Sequence, residues 1–386
     1  AWYPRLPFDN PFAVFRARIT VPAGHKAIAV GDRDGIDRFE QAWVYQWTTS
    51  RAVEGLTVYA GPYQHYEGLA GDVRMEAYVP PGRAEAVPRV LGEAADVLAF
   101  YGRHFGLYPY RKLALVETAF PGGYGATSAV ALPGRAFIDD GLREEFLAHE
   151  IAHNWTDLVA YGGTMGERGF MAEGLASYMD LLYRAERGGP GRYREGLQAA
   201  QRRYRKLVGT ALDVPIARAH EGASRLAWQT LTYDKGAMIF HMLKGHIGDE
   251  AFLAGVKGLY AEHAGQTITL ADMRARFERE SRKSLGLFFE QWLDRPGLPE
   301  IAPLGLSVEP IGEGRFRVSG TLAQKGRPYY MSVPLVVVSD AGKTLYHVPV
   351  HRSETEFQLL VTGQPRFLLL DPLGDALLTA AEPIAL

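Results

Sequence analysis

A His-Glu-x-x-His pattern, His149-Glu150-Ile151-Ala152-His153, lies in a stretch whose apolar residues recur at helical spacing. Residues four positions apart on a helix share a face, so both imidazoles can reach one ion at about 2.0 to 2.1 Å. Glu150 comes three residues before His153 and could reach a water molecule at that ion. The pattern therefore predicts a helix with two metal ligands, His149 and His153, and a general base, Glu150.

A third protein ligand is expected elsewhere, because a catalytic zinc site has three protein ligands and one open position. The chain contains no cysteine, so this ligand must be His, Asp or Glu. Glu173 opens a second apolar helical stretch, and we predict it as the third ligand of one zinc ion. A glutamate in the first turn of a helix also interacts favourably with the helix dipole, which is the alternative explanation. Asp180, on the same helical face, could orient a ligating imidazole.

The composition is that of an ordinary globular protein, with 47% hydrophobic and 22% charged residues and a mean hydropathy of -0.13. The formal net charge is -2 and no long run of Lys and Arg occurs, so we expect no nucleic-acid partner. No stretch approaches the roughly 20 apolar residues that cross a bilayer, so we expect no membrane-spanning segment.

The compartment is only weakly indicated by the sequence. The chain begins Ala1-Trp2-Tyr3-Pro4, without an initiator methionine and without a targeting segment. This opening fits a processed secretory protein or a trimmed recombinant chain equally well, so we expect a soluble chain and leave an extracytoplasmic location open. The oligomeric state does not follow from the sequence.

The 386 residues are too many for one ordinary core, and hydrophobic periodicity suggests three parts. Residues 1–73 show short alternating runs and predict a β-rich N-terminal domain. Residues 74–300 contain mostly helical patterns, broken by glycine-rich stretches at 162–169 and 188–191. Residues 301–386 alternate between turns and predict a small β-sandwich. The predicted fold class is therefore α+β with several domains.

Glu173 lies in the segment Glu173-Gly174-Leu175-Ala176-Ser177-Tyr178. Together with the His-Glu-x-x-His pattern, this resembles the aminopeptidase N family of zinc metallopeptidases, gluzincins that include leukotriene-A hydrolase. The family typically has eighteen residues between the second His and a Glu in a Glu-Gly-x-Ala-x-Tyr context. Here nineteen residues intervene, from Asn154 to Ala172. The extra residue falls in or near a glycine-rich loop, where length changes cost little.

A further segment, Tyr233-Asp234-Lys235-Gly236-Ala237, resembles the Tyr-x-Lys-Gly-Ala segment of this family. The resemblance implies that Tyr233 donates a hydrogen bond to the tetrahedral intermediate of peptide hydrolysis. It covers roughly residues 74–300 and implies a thermolysin-like catalytic domain in a short, divergent member of the family.

One family motif is altered in this chain. Family aminopeptidases have Gly-x-Met-Glu-Asn before the zinc helix, and its Glu binds the free amino terminus of the peptide. The corresponding stretch, residues 120–128, contains no carboxylate. The backbone of Gly122, Gly123, Tyr124 and Gly125 could still pair with a substrate strand. Glu117, on the preceding predicted strand, is then our candidate for binding the amine.

These features predict a zinc-dependent peptidase, similar to aminopeptidase N, that hydrolyses peptide or protein substrates with metal-activated water. Because the amine-binding Glu motif is missing, an endopeptidase or another hydrolase with altered terminus specificity is the first alternative. A non-catalytic peptide-binding scaffold is the second alternative, although a scaffold has no need of His149, Glu150 and Tyr233 together.

Overall fold

The computed structural model describes residues 11–386, except for the side chains of residues 141, 142 and 145. The first ten residues of the predicted N-terminal domain, with the opening Ala1-Trp2-Tyr3-Pro4, lie outside the described residues. The first strands are β1 (Arg16–Pro22), β2 (Lys26–Ala29), β3 (Asp32–Arg38), β4 (Ala42–Thr48), β5 (Val58–Gly61), β6 (Gln64–Ala70), β7 (Val73–Val79), β8 (Lys112–Thr118), β9 (Tyr124–Ala126) and β10 (Ala129–Pro133). The later strands are β11 (Ala160–Tyr161), β12 (Thr267–Ile268), β13 (Ile301–Gly312), β14 (Arg315–Gln324), β15 (Met331–Ser339), β16 (Gly342–Val350), β17 (Glu354–Thr362), β18 (Pro365–Leu370) and β19 (Ile384–Ala385).

The α-helices are α1 (Val87–Phe105), α2 (Asp140–Thr156), α3 (Met165–Gly169), α4 (Leu175–Leu207), α5 (Arg225–Gln229), α6 (Gly236–Ile247), α7 (Asp249–His263), α8 (Leu270–Ser281) and α9 (Gly286–Leu293). Two π-helical segments, Phe170–Gly174 and Thr230–Lys235, directly precede α4 and α6. Among residues 11–386, no helix is both long and apolar enough to span a bilayer.

The chain forms two compact units. The first unit contains the described residues up to Gly163 together with Met171–Arg187 and Gly248–Arg282. The second unit contains Thr164–Phe170, Gly188–Ile247 and Lys283–Leu386. With both helices and several sheets, the protein has the predicted α+β class with several domains. The domain boundaries near residues 73 and 300 stay a prediction.

The N-terminal part of the first unit consists of small antiparallel sheets. One sheet has the order β1-β4-β3, and β2 pairs with β5 in another. Alternate residues of β4, such as Tyr45 and Trp47, are buried against Val21, Ala27 and Ala29. This alternation follows from the two-residue repeat of a strand with one buried face, and it agrees with the β-rich character predicted for this region.

A five-stranded sheet, with the order β6-β7-β8-β10-β9, supports the candidate site in the first unit. Strands β7, β8 and β10 are parallel, while β6 and β9 are antiparallel edge strands. Residues of β8 and β10 form nearly continuous buried runs, which is typical of parallel strands covered on both faces. The chain leaves β10 through a short 3-10 turn and enters α2, so the sheet determines where α2 begins.

The C-terminal residues of the second unit form the predicted β-sandwich. One sheet has the order β13-β14-β17 and the other β16-β15-β18-β19. Inward-facing residues of both sheets share one core, which includes Val318, Leu335, Val337, Leu359 and Leu368. Strand-period alternation predicts this arrangement, because each strand has one buried face.

The predicted break at residues 188–191 is present in the structure. Within Leu175–Leu207 the backbone of Gly189 is non-helical, with a φ of 76° and a ψ of -179°, and Pro190 follows. Proline lacks the backbone N–H of a regular helix, and glycine tolerates a positive φ. The label α4 therefore covers two helical stretches on either side of a kink, as the sequence pattern predicts.

Candidate metal centre and active site

Helix α2 carries the His-Glu-x-x-His residues on the first unit. Leu147, Ala148, Ile151, Ala152 and Trp155 are buried, which gives the helix the apolar face that packs it into the fold. His149 is half-buried, and Glu150 and His153 are buried. The Nε2 atoms of the two histidines lie 3.4 Å apart, so the helix brings both imidazoles together as predicted from their spacing.

Glu173 reaches these imidazoles from the π-helical segment that precedes α4. Its Oε2 lies 3.3 Å from His149 Nε2 and 3.2 Å from His153 Nε2. The sequence predicts Glu173 in the first turn of an α-helix, whereas the structure places it in a wider π-helical turn. Such turns often occur at functional sites, because they project side chains that a regular helix would place elsewhere.

These three atoms have the spacing that a zinc ion requires. Tetrahedral coordination at about 2.0 to 2.1 Å places ligand atoms about 3.3 Å from one another. The observed separations are 3.2, 3.3 and 3.4 Å, and two nitrogens and a carboxylate oxygen are typical zinc ligands. The residues present therefore fit the metal that the sequence pattern predicts.

A second group of possible ligands occurs in the first unit, formed by His65, Glu67 and Glu76. Here both carboxylate oxygens of Glu76 are already used, since Arg74 donates to one at 2.8 Å and Tyr78 to the other at 2.9 Å. A metal would have to displace the guanidinium of Arg74. The group around His149 has ligand atoms 3.2 to 3.4 Å apart, as a zinc ion requires, and it is the better metal site.

The carboxylate of Glu150 lies against the segment before β10. A Cβ atom on Gly123 would lie 2.3 Å from Glu150 Oε1, and one on Gly125 would lie 2.6 Å from the backbone oxygen of Glu150. Only glycine allows this approach. The predicted backbone segment Gly122–Gly125 therefore runs beside the predicted base, with Tyr124 exposed.

The ionisation of Glu150 reflects this environment. Burial raises the pKa of Glu150, and the nearby imidazoles and the Gly125 N–H act in the opposite direction. A carboxylate with a raised pKa is a better proton acceptor near neutral pH than an ordinary glutamate. The environment therefore suits a general base.

Asp157 was not predicted from the sequence, although it contacts the predicted ligand His153. Its Oδ1 lies 3.3 Å from His153 Nδ1, and Thr156 Oγ1 lies 3.2 Å from the same nitrogen. Burial opposes the charged imidazolium, but Glu173 and Asp157 outweigh it and raise the pKa of His153. A carboxylate on the far nitrogen fixes the tautomer that presents Nε2 to a metal. The four-residue spacing from His153 is the sequence signal that could have revealed it.

Asp180, predicted to orient an imidazole, is fully buried and pairs with Arg184 at 2.7 and 2.9 Å. Its Oδ1 has no hydrogen-bond partner among the described residues. Burial raises the pKa of Asp180, while Arg184 and then His149 lower it. The structure thus places Asp180 within electrostatic reach of His149, but with its main contact to Arg184.

Glu117, the predicted amine-binding residue, lines a cavity of about 610 Å³ in the first unit. Its side chain is 7% exposed, and Oε1 accepts from Arg83 Nε at 3.2 Å. Oε2 is buried and has no hydrogen-bond partner in the described part of the chain. The rest of the lining is mainly apolar and includes Tyr63, Phe120 and Pro121. Burial raises the pKa of Glu117, and Arg83 opposes this shift.

Tyr233 belongs to the second unit, where it lies in the π-helical segment Thr230–Lys235. Its neighbours fix this segment on both sides. Asp234 accepts a bidentate pair from Arg203 at 2.6 and 2.9 Å, and the buried Lys235 donates to the backbone oxygen of Arg295 at 3.1 Å. Burial lowers the pKa of Lys235 to about 8. Like Glu173, Tyr233 is therefore presented by a π-helical turn.

Comparison with known proteins agrees with this geometry. Residues 136–292, which include the metal-ligand group and Tyr233, match the Peptidase family M1 domain. Aminopeptidase 2 of Candida albicans is 22% identical over 335 residues, which cover 81% of this chain and 35% of that protein. Probable aminopeptidase 1 of Sulfurisphaera tokodaii is 23% identical over 356 residues, covering 85% and 44% respectively.

A crystal structure of Legionella pneumophila aminopeptidase A in complex with aspartic acid has a similar fold, with a TM-score of 0.75 and 18% sequence identity. The matched region covers 96% of the present chain and 45% of the Legionella chain. The present chain thus spans less than half the length of these relatives. The family match over residues 136–292 and the aminopeptidase relatives support membership of peptidase family M1, and the solved structure shows a similar fold.

Proposed function

We propose that this protein is a zinc-dependent peptidase that hydrolyses peptide bonds. The observation that carries the proposal is the convergence of His149, His153 and Glu173 within 3.2 to 3.4 Å of one another, with Glu150 buried on the same helix. Peptidases of family M1 are zinc-dependent, and the named relatives are aminopeptidases. Zinc is therefore the metal we assign to the three ligands.

A bound zinc ion would act as a Lewis acid that makes water more acidic and polarises a carbonyl group. The protein's own part in the reaction centres on Glu150. Its carboxylate takes the proton from the attacking water and then returns it to the leaving amine. The close packing of Gly123 against the carboxylate restricts its movement, and burial excludes competing water from it. Asp157 holds His153 in the tautomer that binds metal.

We assign Tyr233 the role of hydrogen-bond donor to the oxyanion of the tetrahedral intermediate. The assignment is supported by the match of Tyr233-Asp234-Lys235-Gly236-Ala237 to the family segment and by the anchored π-helical turn that carries the tyrosine. A donor aimed at a developing negative charge stabilises the transition state more than the bound substrate.

Peptides are the proposed substrates, and their backbone would lie along Gly122–Gly125. Residues 120–128 contain no Asp or Glu, so this segment cannot present a carboxylate to the substrate amine. Glu117 is the remaining candidate, because its Oε2 is buried, lines a cavity and has no partner in the described residues. An ammonium group would supply the missing hydrogen-bond donor.

An endopeptidase is the second candidate function, favoured by the Arg83 contact that already neutralises part of the Glu117 charge. Cleavage of matched free and N-acetylated peptides separates the two functions. Aminopeptidase action predicts that acetylation abolishes cleavage and that Glu117→Gln raises KM for free peptides only. Equal cleavage of both peptides would establish endopeptidase action and remove the amine-binding role of Glu117.

The peptidase proposal is tested by measuring zinc content together with hydrolysis. Glu150→Gln keeps the shape of the side chain and should retain one zinc per chain while losing activity by at least about 10²-fold. His153→Ala should lose both zinc and activity. Full activity in Glu150→Gln, or a zinc-free preparation from zinc-replete cells, would contradict the proposal.

A further inference from the structure

Asn154 lies directly after the proposed ligand His153 and takes no direct part in the proposed reaction. Its side chain is fully buried, at 0% exposure, so its amide needs hydrogen-bond partners inside the protein. Oδ1 accepts from the backbone N–H of Ser128 at 2.8 Å and lies 3.1 Å from the hydroxyl of Tyr108. Nδ2 donates to the backbone oxygen of Ile151 at 3.1 Å. The amide therefore connects α2 to the turn between β9 and β10.

Ser128 occupies that turn in a left-handed conformation, with a φ of 57°, which is unfavourable for a residue with a Cβ atom. Three hydrogen bonds hold it there. Its N–H donates to Asn154, its Oγ accepts from Gly31 N–H at 3.1 Å, and its backbone oxygen accepts from Ala114 N–H at 3.0 Å. At 1% exposure, Ser128 has no access to water that could replace these bonds.

Strand β9 and the residue before it pack against the same helix one turn earlier. A Cβ atom on Gly123 would lie 2.3 Å from Glu150 Oε1, and one on Gly125 would lie 2.6 Å from the backbone oxygen of Glu150, four residues before Asn154. Residues four apart share one face of a helix. Successive turns of α2 therefore contact the hairpin at two places, at Gly123 to Gly125 and at Ser128 in the turn after β9.

We infer that Asn154 is a positioning residue for Glu150 and acts through strand β9. The inference rests on the proposed role of Glu150 as the base. Release of Ser128 lets β9 move along α2, and the close packing of Gly123 and Gly125 against Glu150 is then lost. The backbone that we assign to substrate pairing moves with it.

Asn154→Leu removes the amide while keeping a side chain of similar size. Tyr108→Phe is the matched control, because it removes a buried hydroxyl beside the same Oδ1 and leaves the Ser128 bond in place. We expect Asn154→Leu to lower kcat at least 10-fold with one zinc retained per chain, and Tyr108→Phe to stay within about twofold of wild type. Asn154→Ala replaces the leucine variant if the latter does not fold.

Hydrogen exchange at residues 124–128 provides a measurement that needs no activity. The amides of this segment should exchange at least 10-fold faster in Asn154→Leu than in Tyr108→Phe. Equal exchange in both variants, equal loss of kcat, or a loss of zinc in proportion to kcat would overturn the inference. An inactive wild-type protein would instead count against the peptidase proposal. The exchange experiment would still test whether Asn154 restrains the movement of β9.

Discussion

Gly123 approaches the Glu150 carboxylate so closely that a Cβ atom would lie 2.3 Å from Oε1 and 2.7 Å from Cδ. Glu150 is only 7% exposed, so its carboxylate has little space in which to move away. We predict that Gly123→Ala displaces the base and lowers kcat by about 10²-fold, as removal of a general base does. Zinc content should remain that of wild type, because none of the three ligands touches this position closely.

Gly122→Ala is the matched control for that variant. A Cβ atom there would meet the ring of Phe120 at 3.0 Å, and this ring is 54% exposed and can rotate into solvent. Activity within about threefold of wild type is expected. Comparable losses in the two variants would show that the loop is sensitive to any side chain, and that the contact with Glu150 is not the cause.

Asp157 should control metal affinity through His153. Asp157→Asn keeps the shape of the side chain and removes the charge beside Nδ1, so the imidazole becomes a weaker ligand. We expect zinc affinity to fall by about 10-fold or more. Competition with a chelator of known affinity measures the change. Unchanged affinity would assign the orientation of His153 to Thr156 alone.

Tyr233→Phe should separate catalysis from metal binding. Loss of one donor to an oxyanion typically lowers kcat by about 10²-fold or more, while KM changes little. Zinc content should stay at one per chain, since Tyr233 is not one of the predicted ligands. Steady-state kinetics on one peptide, with metal analysis of the same preparation, tests both expectations. Wild-type kcat in this variant would remove Tyr233 from the mechanism.

Asp371 should make the stability of the second unit depend on pH. Burial raises the pKa of Asp371 to about 7, although Ala376 and Asp375 donate backbone hydrogen bonds to it. Because the folded-state pKa lies above the unfolded value of 3.8, its contribution is full below about pH 4 and is lost as the pH rises to about 7. The stabilisation of wild type relative to Asp371→Asn should therefore fall across this range, by about 1.4 kcal/mol per pH unit at most.

Urea denaturation of wild type and Asp371→Asn at several pH values measures this difference. Only the dependence on pH is diagnostic, because asparagine also loses one acceptor oxygen for the two backbone N–H groups. A constant difference between pH 4 and 8 would show that Asp371 has an ordinary pKa in the folded protein.

Much of the fold follows from local patterns in the sequence. Residues 301–386, predicted to alternate between turns, form the strands of the C-terminal sandwich, and the His-Glu-x-x-His pattern lies on helix α2 as predicted. These elements are predictable because burial of one face imposes a repeat of two residues on a strand and 3.6 on a helix. The break at residues 188–191 is predictable for a local reason too, because glycine and proline interrupt helices.

The residues of the candidate site also form two groups, those that local spacing predicts and those that depend on the tertiary structure. His149, Glu150 and His153 follow from spacing on one helix, and the chemistry of a metal site predicts that a third ligand exists. The role of Asn154 and the close approach of Gly123 to Glu150 could not be predicted, because each depends on a partner whose position is set by other elements. The contact of Asp157 with His153 is local, at a spacing of four residues.

The sequence by itself determined which side chains can bind zinc and accept a proton, since their chemistry and helical spacing are local properties. Only the tertiary structure decided that Glu173 reaches the imidazoles from a π-helical turn, and that the hairpin of β9 contacts α2 at Gly125 and at Ser128. The physical reason is that hydrogen bonds and metal-ligand distances act over about 3 Å. Residues far apart in the chain meet at that distance only after the sheet and helices have packed.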